Sequence, residues 1–162
     1  MNIWQERPVE VRNLFNPAFC ALNIYHAIKN YQIVSGEGMP FSLSLLILPL
    51  CFHEPTSLYL LSKNRTYLLK NIKDNPVIVC GLDKRVKDLN FFTLEAIVFL
   101  LYADAIHIDD KGKVNVKKIN FKKLNFNSKM SQDKIKLASY LGKQLAKIKD
   151  RSTIYISLGI KP

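Results

Sequence analysis

The sequence lacks the patterns that carry the chemistry of the common enzyme classes. It contains no GxGxxG and no Walker-type phosphate loop, no HExxH zinc motif and no GxSxG nucleophile turn. The three histidines, His26, His53 and His107, lie far apart in the chain. The pair Asp109-Asp110 is typical of a turn and is not read as a general acid and base. These absences predict a protein that is not an enzyme and that needs no metal or cofactor.

Cysteines and long apolar runs are also few. Cys20, Cys51 and Cys80 are widely spaced in apolar surroundings, which favours reduced core thiols over a disulfide framework or a zinc site. The longest apolar stretch, residues 41–52, is shorter than the roughly 20 residues of a membrane span. Residues 1–8 show no basic region leading into a long apolar run, so no secretory signal is expected. The sequence therefore predicts a cytoplasmic protein without a membrane partner.

Acidic residues are scarce in one segment of the chain. Residues 111–151 hold thirteen Lys and Arg but only Asp133 and Asp150 as acids, so this segment carries the whole net charge of +11. The asymmetry favours a polyanion or an acidic protein surface as partner, and a merely solvated lysine face is the alternative. Arg151 is the only arginine here, which favours salt-sensitive phosphate contact over base reading. The predicted contact residues are Lys111, Lys113, Lys117, Lys118, Lys122, Lys123, Lys136, Lys143 and Lys147.

Helical spacing and helix-capping residues mark the first half of the chain. Pro8 favours the start of a first helix. Asn16 followed by a proline favours the start of a second helix over residues 17–33. The glycines and proline of residues 35–40 predict a loop. This part of the sequence is therefore expected to be all-helical.

An apolar stretch begins at Phe41 and is expected to form the central helix. It is apolar on all sides, which is typical of a buried helix, and Pro49 should kink or end it. Weaker patterns follow it: a short helix near Pro55, a helix over 66–73, and either a helix or an apolar segment followed by a helix over 77–89.

The second half of the chain changes character after residue 89. Asn90 or Thr93 is expected to cap a helix that contains Leu94, Ile97, Val98 and Leu101. Residues 106–116 alternate around a turn in which Gly112 can adopt a positive φ, and this pattern predicts a β-hairpin. A helix followed by a short, basic-tipped hairpin is typical of a winged helix, and a plain helix–hairpin packing unit is the alternative.

The end of the chain holds the last long helix and a short terminal element. Ser131 is the expected cap of the long helix, and Lys136, Lys143 and Lys147 share its outer face. Residues 152–158 allow either a strand, from their alternation, or a short helix between Ser152 and Gly159. The buried stripe of the long helix is expected to be Leu137, Leu141, Leu145 and Ile148.

These elements define a mainly α fold. A chain of 162 residues suits one compact unit. We expect an N-terminal helical segment over residues 1–62 and a winged-helix-like segment over residues 63–162, which includes the small β-hairpin and a basic C-terminal helix.

A family resemblance rests on several short stretches of the sequence. They are Trp4-Gln5-Glu6-Arg7-Pro8-Val9-Glu10, Asn13-Leu14-Phe15-Asn16-Pro17-Ala18-Phe19-Cys20, Gly38-Met39-Pro40-Phe41, Leu48-Pro49, His53-Glu54-Pro55-Thr56 and the closing Ser157-Leu158-Gly159-Ile160-Lys161-Pro162. This series resembles the middle component of bacterial three-component ABC ATPase systems, the group that includes Lamassu-type defence. The resemblance of the closing stretch favours a helical ending.

The resemblance implies an adaptor with no chemistry of its own. It would bridge an SMC- or Rad50-like ABC ATPase and a nuclease-like effector in a bacterial defence complex that acts on foreign DNA. Within that complex the basic residues would face either DNA phosphates or an acidic ATPase surface. Small winged-helix subunits of SMC complexes offer an analogy of fold alone. The partner-interface residues expected on this basis are Trp4, Arg7, Glu10, Asn13, Phe19, Met39, Phe41 and His53.

Two functions from other classes stay open at this point. An autonomous winged-helix DNA-binding regulator would bind duplex DNA tightly on its own, with a steep loss of affinity as salt rises. A small enzyme with an unrecognised site would lose function when His26, His53 or Glu10 is substituted.

Overall fold

The computed structural model describes residues 6, 8–118 and 128–161, with residues 10 and 11 described by their backbone alone. The fold is mainly helical, with a small three-stranded antiparallel sheet. The predicted mainly α class is confirmed at that level. In chain order the elements are α1 (Val9–Leu14), α2 (Pro17–Ser35), β1 (Met39–Pro40), α3 (Phe41–Ser44), α4 (Ile47–Cys51), α5 (Glu54–Ser62), α6 (Leu68–Asp74), a 3-10 turn (Pro76–Ile78), α7 (Leu82–Tyr102), β2 (Ile106–Ile108), β3 (Lys113–Val116), α8 (Lys129–Lys147) and α9 (Arg151–Leu158).

Helix α2 begins and ends as its sequence signals predict. The side-chain oxygen of Asn16 accepts a hydrogen bond of 2.9 Å from the amide of Ala18. Pro17 is tolerated at the first helical position because an N–H group there would have no partner within the helix. The helix runs two residues past the expected end and stops where Gly36 adopts a φ of 78°. Its residues from Cys20 to Ile28 are buried except for the half-buried His26, which makes α2 the central element of the core.

The central apolar stretch forms two short helices where one helix was predicted. The helix is interrupted at Leu45 and Leu46, between α3 and α4, and Pro49 lies inside α4. Proline has no amide to bond the carbonyl four residues earlier, and its ring collides with that carbonyl. Because Leu45 is the residue four positions before Pro49, the helix is interrupted one turn earlier than the proline itself.

Helix α7 is continuous from Leu82, so the expected cap at Asn90 or Thr93 is wrong. Thr93 is buried in mid-helix, and its hydroxyl donates a hydrogen bond of 3.1 Å to the carbonyl of Leu89. A threonine that bonds the carbonyl four residues earlier can remain in a helix without ending it. Ser131 likewise lies inside α8, which begins at Lys129.

The predicted hairpin is confirmed, and a third strand joins it. Strands β2 and β3 pair antiparallel, and Gly112 in their turn has a φ of 71°. The residues expected to form a loop before Phe41 include β1, whose Met39 pairs with Val114 of β3. The sheet order is therefore β1-β3-β2, and strands from both segments of the chain share it.

Helix α8 packs along α2 at very short range. A Cβ at Gly142 would overlap the carbonyl oxygen of Ala27 and lie 2.8 Å from its carbonyl carbon, so only glycine permits this approach. The stripe predicted to be buried on α8 is buried, and the residues predicted on its outer face are exposed. The last element is a helix, α9, capped by the carboxylate of Asp150 and ended by Gly159 at a φ of 66°.

Two further details concern the cysteines and the apolar helices. Cys20 and Cys51 are buried as expected, but Cys80 is exposed in the turn before α7, so its prediction as a core thiol is wrong. Among the described residues, no single helix is long and apolar enough to cross a membrane. The adjoining spans Phe41–Cys51 and Glu54–Ser62 reach that length only together and are bent by 95°.

Candidate partner-binding surfaces

The outer face of α7 is polar in its first half and apolar in its second. In the first half, Lys87 and Asp83 form an exposed ion pair with an N–O distance of 2.8 Å. In the second half, large apolar side chains reach solvent. The α7 stripe is defined as Leu94, Val98, Leu101 and Tyr102, which are 40%, 49%, 40% and 89% exposed.

Two apolar faces lie back to back in this half of α7. Thr93, Ala96, Ile97 and Leu100 fill the inner face and are buried. The α7 stripe projects from the opposite side, since Leu94, Val98 and Leu101 are spaced by four and three residues and Tyr102 flanks them. Phe91 and Phe99 extend the exposed apolar surface at 54% and 46%. A helix that is apolar on every side is normally buried, yet one side of this half of α7 is open in the part of the chain that the structure describes.

Sequence reasoning placed Leu94, Ile97, Val98 and Leu101 together in one helix but did not distinguish its two faces. The structure buries Ile97 and exposes the other three. The signal was present in the sequence, because residues 91–102 contain Glu95 as their only charged residue. A helix that buries one face and exposes the other to water normally carries more charged residues over three turns.

The predicted basic residues lie on two elements. On and after the hairpin, Lys113 pairs with Glu37 and Lys117 pairs with Asp104, whereas Lys118 is exposed. On α8, Lys136 lies 4.0 Å from a carboxylate oxygen of Asp133. The remaining described members, at the hairpin turn and on the outer face of α8, are exposed: Lys111, Lys143 and Lys147. Lys122 and Lys123 lie outside the described residues.

One lysine of the basic segment is not on the surface at all. The side chain of Lys134 is only 5% exposed. Its ammonium donates a hydrogen bond of 3.0 Å to the hydroxyl of Ser57, lies 3.4 Å from a carboxylate oxygen of Glu54, and sits 6.0 Å from the centre of the Phe52 ring. These contacts join α8 to α5. Sequence reasoning did not single out Lys134, because nothing local separates it from its solvated neighbours.

The residues predicted for the partner interface do not form one surface in the described chain. Trp4 and Arg7 lie outside the described residues, as does the side chain of Glu10. Asn13 is exposed, Phe41 is half-buried against the core, and Met39 is fully buried, which leaves its side chain no free surface.

Phe19 and His53 take part in local packing. The Phe19 ring lies 5.9 Å from that of Phe52, which also meets Phe15 edge-on at 5.7 Å. The Nδ1 atom of His53 lies 2.8 Å from the hydroxyl oxygen of Thr56, and burial lowers the pKa of this imidazole. Phe19 therefore packs α2 against the residue that follows α4, whereas His53 bonds within the first turn of α5.

Within the described residues, no group of three or more His, Cys, Asp or Glu side chains could hold a metal ion. The described chain offers two kinds of exposed surface, an apolar one on α7 and basic ones on the hairpin and on α8.

The chain belongs to a family of middle components, described as ABC-three component (ABC-3C) system Middle Component 3, whose model matches residues 4–162. The resemblance seen in the sequence is confirmed at the level of this family. Because these middle components belong to multi-component ABC systems, partner subunits are implied. Comparison with curated proteins gave no match, and neither did comparison with solved structures.

Proposed function

We propose that this protein is a non-enzymatic adaptor that holds an SMC- or Rad50-like ABC ATPase and an effector subunit together. The complex would be a bacterial defence system of the Lamassu type, acting on foreign DNA. One observation carries the proposal: a middle component of a multi-component system exposes a row of large apolar side chains on one helix. Contiguous exposed apolar surface rimmed by polar residues is typical of a protein–protein interaction site.

A bridging role is supported by the separation of two kinds of surface. The apolar surface lies on α7, whereas the exposed lysines lie on the hairpin turn and on α8. Helix α2 packs against both α7 and α8 and anchors the hairpin, because the amide of Val116 donates a hydrogen bond of 3.0 Å to the Gln32 side chain. One shared core thus presents an apolar surface and a basic surface, which suits two different partners.

The sheet topology supports a winged-helix-like subunit in which α7 serves protein binding. The order β1-β3-β2, with the hairpin directly after α7, is compatible with a winged helix in which α7 takes the position of the recognition helix. A helix that reads a DNA groove presents cations and hydrogen-bonding side chains. Residues 91–102 contain no Lys or Arg, so this half of α7 suits an apolar partner.

Purification of the assembled system tests the adaptor proposal. The protein is co-expressed with the products of its two neighbouring genes, and the ATPase subunit carries the tag. We expect the effector to be recovered with the ATPase only when this chain is present. A matched preparation without this chain is the control. If the tag is moved to this chain, and it is recovered alone at micromolar concentration and low salt, the proposal is overturned.

DNA binding by the isolated chain is the second candidate function. The exposed Lys111, Lys118, Lys143 and Lys147 favour it, because exposed lysines attract phosphates regardless of sequence. Titration of a labelled duplex at two salt concentrations separates the two functions. The adaptor proposal expects weak, sequence-independent binding that is lost as salt rises. Tight binding of one duplex sequence by the isolated chain would favour a regulator.

A further inference from the structure

We infer that the α7 stripe binds one amphipathic helix of a partner subunit, an inference that rests on the adaptor function proposed above. In the part of the chain that the structure describes, the stripe presents a row of large apolar side chains in helical register to solvent. Its spacing, its composition and the charge of the whole chain constrain the shape, the chemistry and the charge of the occupant.

The spacing of the stripe fits a helix as its occupant. Leu94, Val98 and Leu101 repeat at intervals of four and three residues, and Phe91 continues this spacing one step upstream. This is the a/d pattern by which one helix packs along another at a crossing angle of about 20°. From Phe91 to Tyr102 the row spans about 17 Å, at about 1.5 Å per residue. A partner helix of three to four turns with its own a/d apolar residues would cover it.

The chemistry of the stripe excludes a polyanion as the occupant. Residues 91–102 include one acid, Glu95, and no cation, so a phosphate backbone would find no positive partner along this face. Tyr102 stands out at the end of the row with 89% of its surface exposed. An exposed aromatic ring with a polar tip is typical of the anchors that dominate protein interfaces.

The charge of the chain favours a different protein over a second copy. The net charge is +11, and a symmetric pair of such chains would bring two strongly positive molecules into contact. Contact with a partner that has an acidic surplus is electrostatically favourable, whereas contact with a second copy is unfavourable. At the downstream end of α7, Lys118 is exposed beside the Lys117–Asp104 pair, which suits acidic side chains flanking the apolar seam of the partner helix.

Two substitutions in the stripe and one matched control test the inference in the full chain. Val98→Lys places a charge in the middle of the row, and Tyr102→Ala removes its most exposed member without touching the core. The control is Ile156→Lys on α9, where the isoleucine is 78% exposed and lies outside the stripe. Each variant is co-expressed with the products of the two neighbouring genes, and binding of each product is titrated.

We expect Val98→Lys and Tyr102→Ala to weaken the binding of one of the two products at least about ten-fold, whereas Ile156→Lys leaves it within about two-fold. In the wild-type complex, hydrogen exchange should slow in residues 91–102 and in one helical segment of that product. Wild-type binding in both stripe variants would overturn the inference and leave the adaptor function standing. Failure of the wild-type chain to bind either product would overturn both.

The remaining occupants give distinct results with the isolated protein. A dimer in sedimentation experiments that Val98→Lys abolishes would show that a second copy covers the stripe. A clear drop in the melting temperature of isolated Tyr102→Ala would show that the chain covers the stripe itself. Protection of a strand or loop of the partner, in place of a helix, would contradict the stated chemistry. Each of these results overturns the inference.

Discussion

The side-chain amide of Asn71 donates a hydrogen bond of 2.9 Å to the hydroxyl of Tyr140, and that hydroxyl donates in turn to the carbonyl of Thr66. Both side chains are buried, and this pair links α6 and the chain before it directly to α8. Burial raises the pKa of the Tyr140 phenol and thereby keeps it protonated as a donor.

Tyr140→Phe should lower the free energy of unfolding by about 1 to 2 kcal/mol, because it removes the hydroxyl that accepts from the buried Asn71 amide and donates to the part-buried carbonyl of Thr66. Tyr155→Phe is the matched control. The Tyr155 hydroxyl is buried and has no hydrogen-bond partner among the described residues, so its removal should be neutral or stabilising. Urea unfolding of both variants measures the difference. Equal losses in the two variants would contradict the assigned hydrogen bonds.

Gly142→Ala should destabilise the protein by at least about 2 kcal/mol, because the added methyl group would push α8 away from the backbone of α2. Ser139→Ala, three residues earlier on α8, is the control and should change stability by less than about 0.5 kcal/mol. Thermal and urea unfolding report both effects. A Gly142→Ala variant as stable as wild type would show that α2 and α8 do not pack this closely in solution.

The protein should lose stability as the pH falls through the range of its exposed carboxylates. Backbone amides of Lys113 and Ser152 lower the pKa values of Asp109 and Asp150, and the Lys113 ammonium lowers that of Glu37. A depressed folded-state pKa stabilises the fold at pH values above the unfolded value of about 4, and this contribution disappears as the folded group is protonated.

Melting temperatures measured from pH 7 to pH 3 should therefore fall gently below about pH 6.5, because burial lowers the pKa values of His26 and His53 and the unfolded chain binds these protons more readily. The fall should become steeper below about pH 5, where the three carboxylates lose their contribution. Asp109→Asn keeps the shape of the turn residue but cannot titrate, so its melting temperature should fall less steeply over the same range. If the melting temperature of the variant fell as steeply as that of the wild type, Asp109 would not contribute to the pH dependence of stability.

One thiol should react in the folded protein. Cys80 is exposed, whereas burial raises the pKa values of Cys20 and Cys51 to about 12. Because thiolate and access are both needed for attack, a disulfide reagent should modify one equivalent rapidly under native conditions. The modification should vanish in Cys80→Ser, and three equivalents should react in denaturant. Rapid reaction of two thiols in the native state would contradict the burial of the other pair.

Signals carried by a few neighbouring residues predicted much of the fold. Asn16 and Pro17 fixed the start of α2, and Gly112 marked the hairpin, because capping and positive φ depend on local geometry. The buried stripe of α8 was predicted from its spacing alone. The long range of a proline's effect was underestimated, since Pro49 interrupts the chain four residues earlier, at Leu45.

Features set by distant contacts could not be read from the sequence. Strand β1 exists because Met39 meets Val114, and no local pattern marks a two-residue strand. Lys134 is buried because Ser57 and Glu54 lie beside it. The two faces of α7 were not separated because both are apolar, and only the packing of α2 decides which one faces inward. The candidate site was missed for that reason.

The position of β1 bears on the order of folding. Strands β2 and β3 are neighbours in sequence and can pair within microseconds, but β1 is separated from β3 by every helix from α3 to α7. The part of the chain between β1 and β3 must be ordered before these two strands can pair, and such non-local contacts slow folding. We therefore expect the sheet to be completed in the last step of folding, when Met39 of β1 pairs with Val114 of β3.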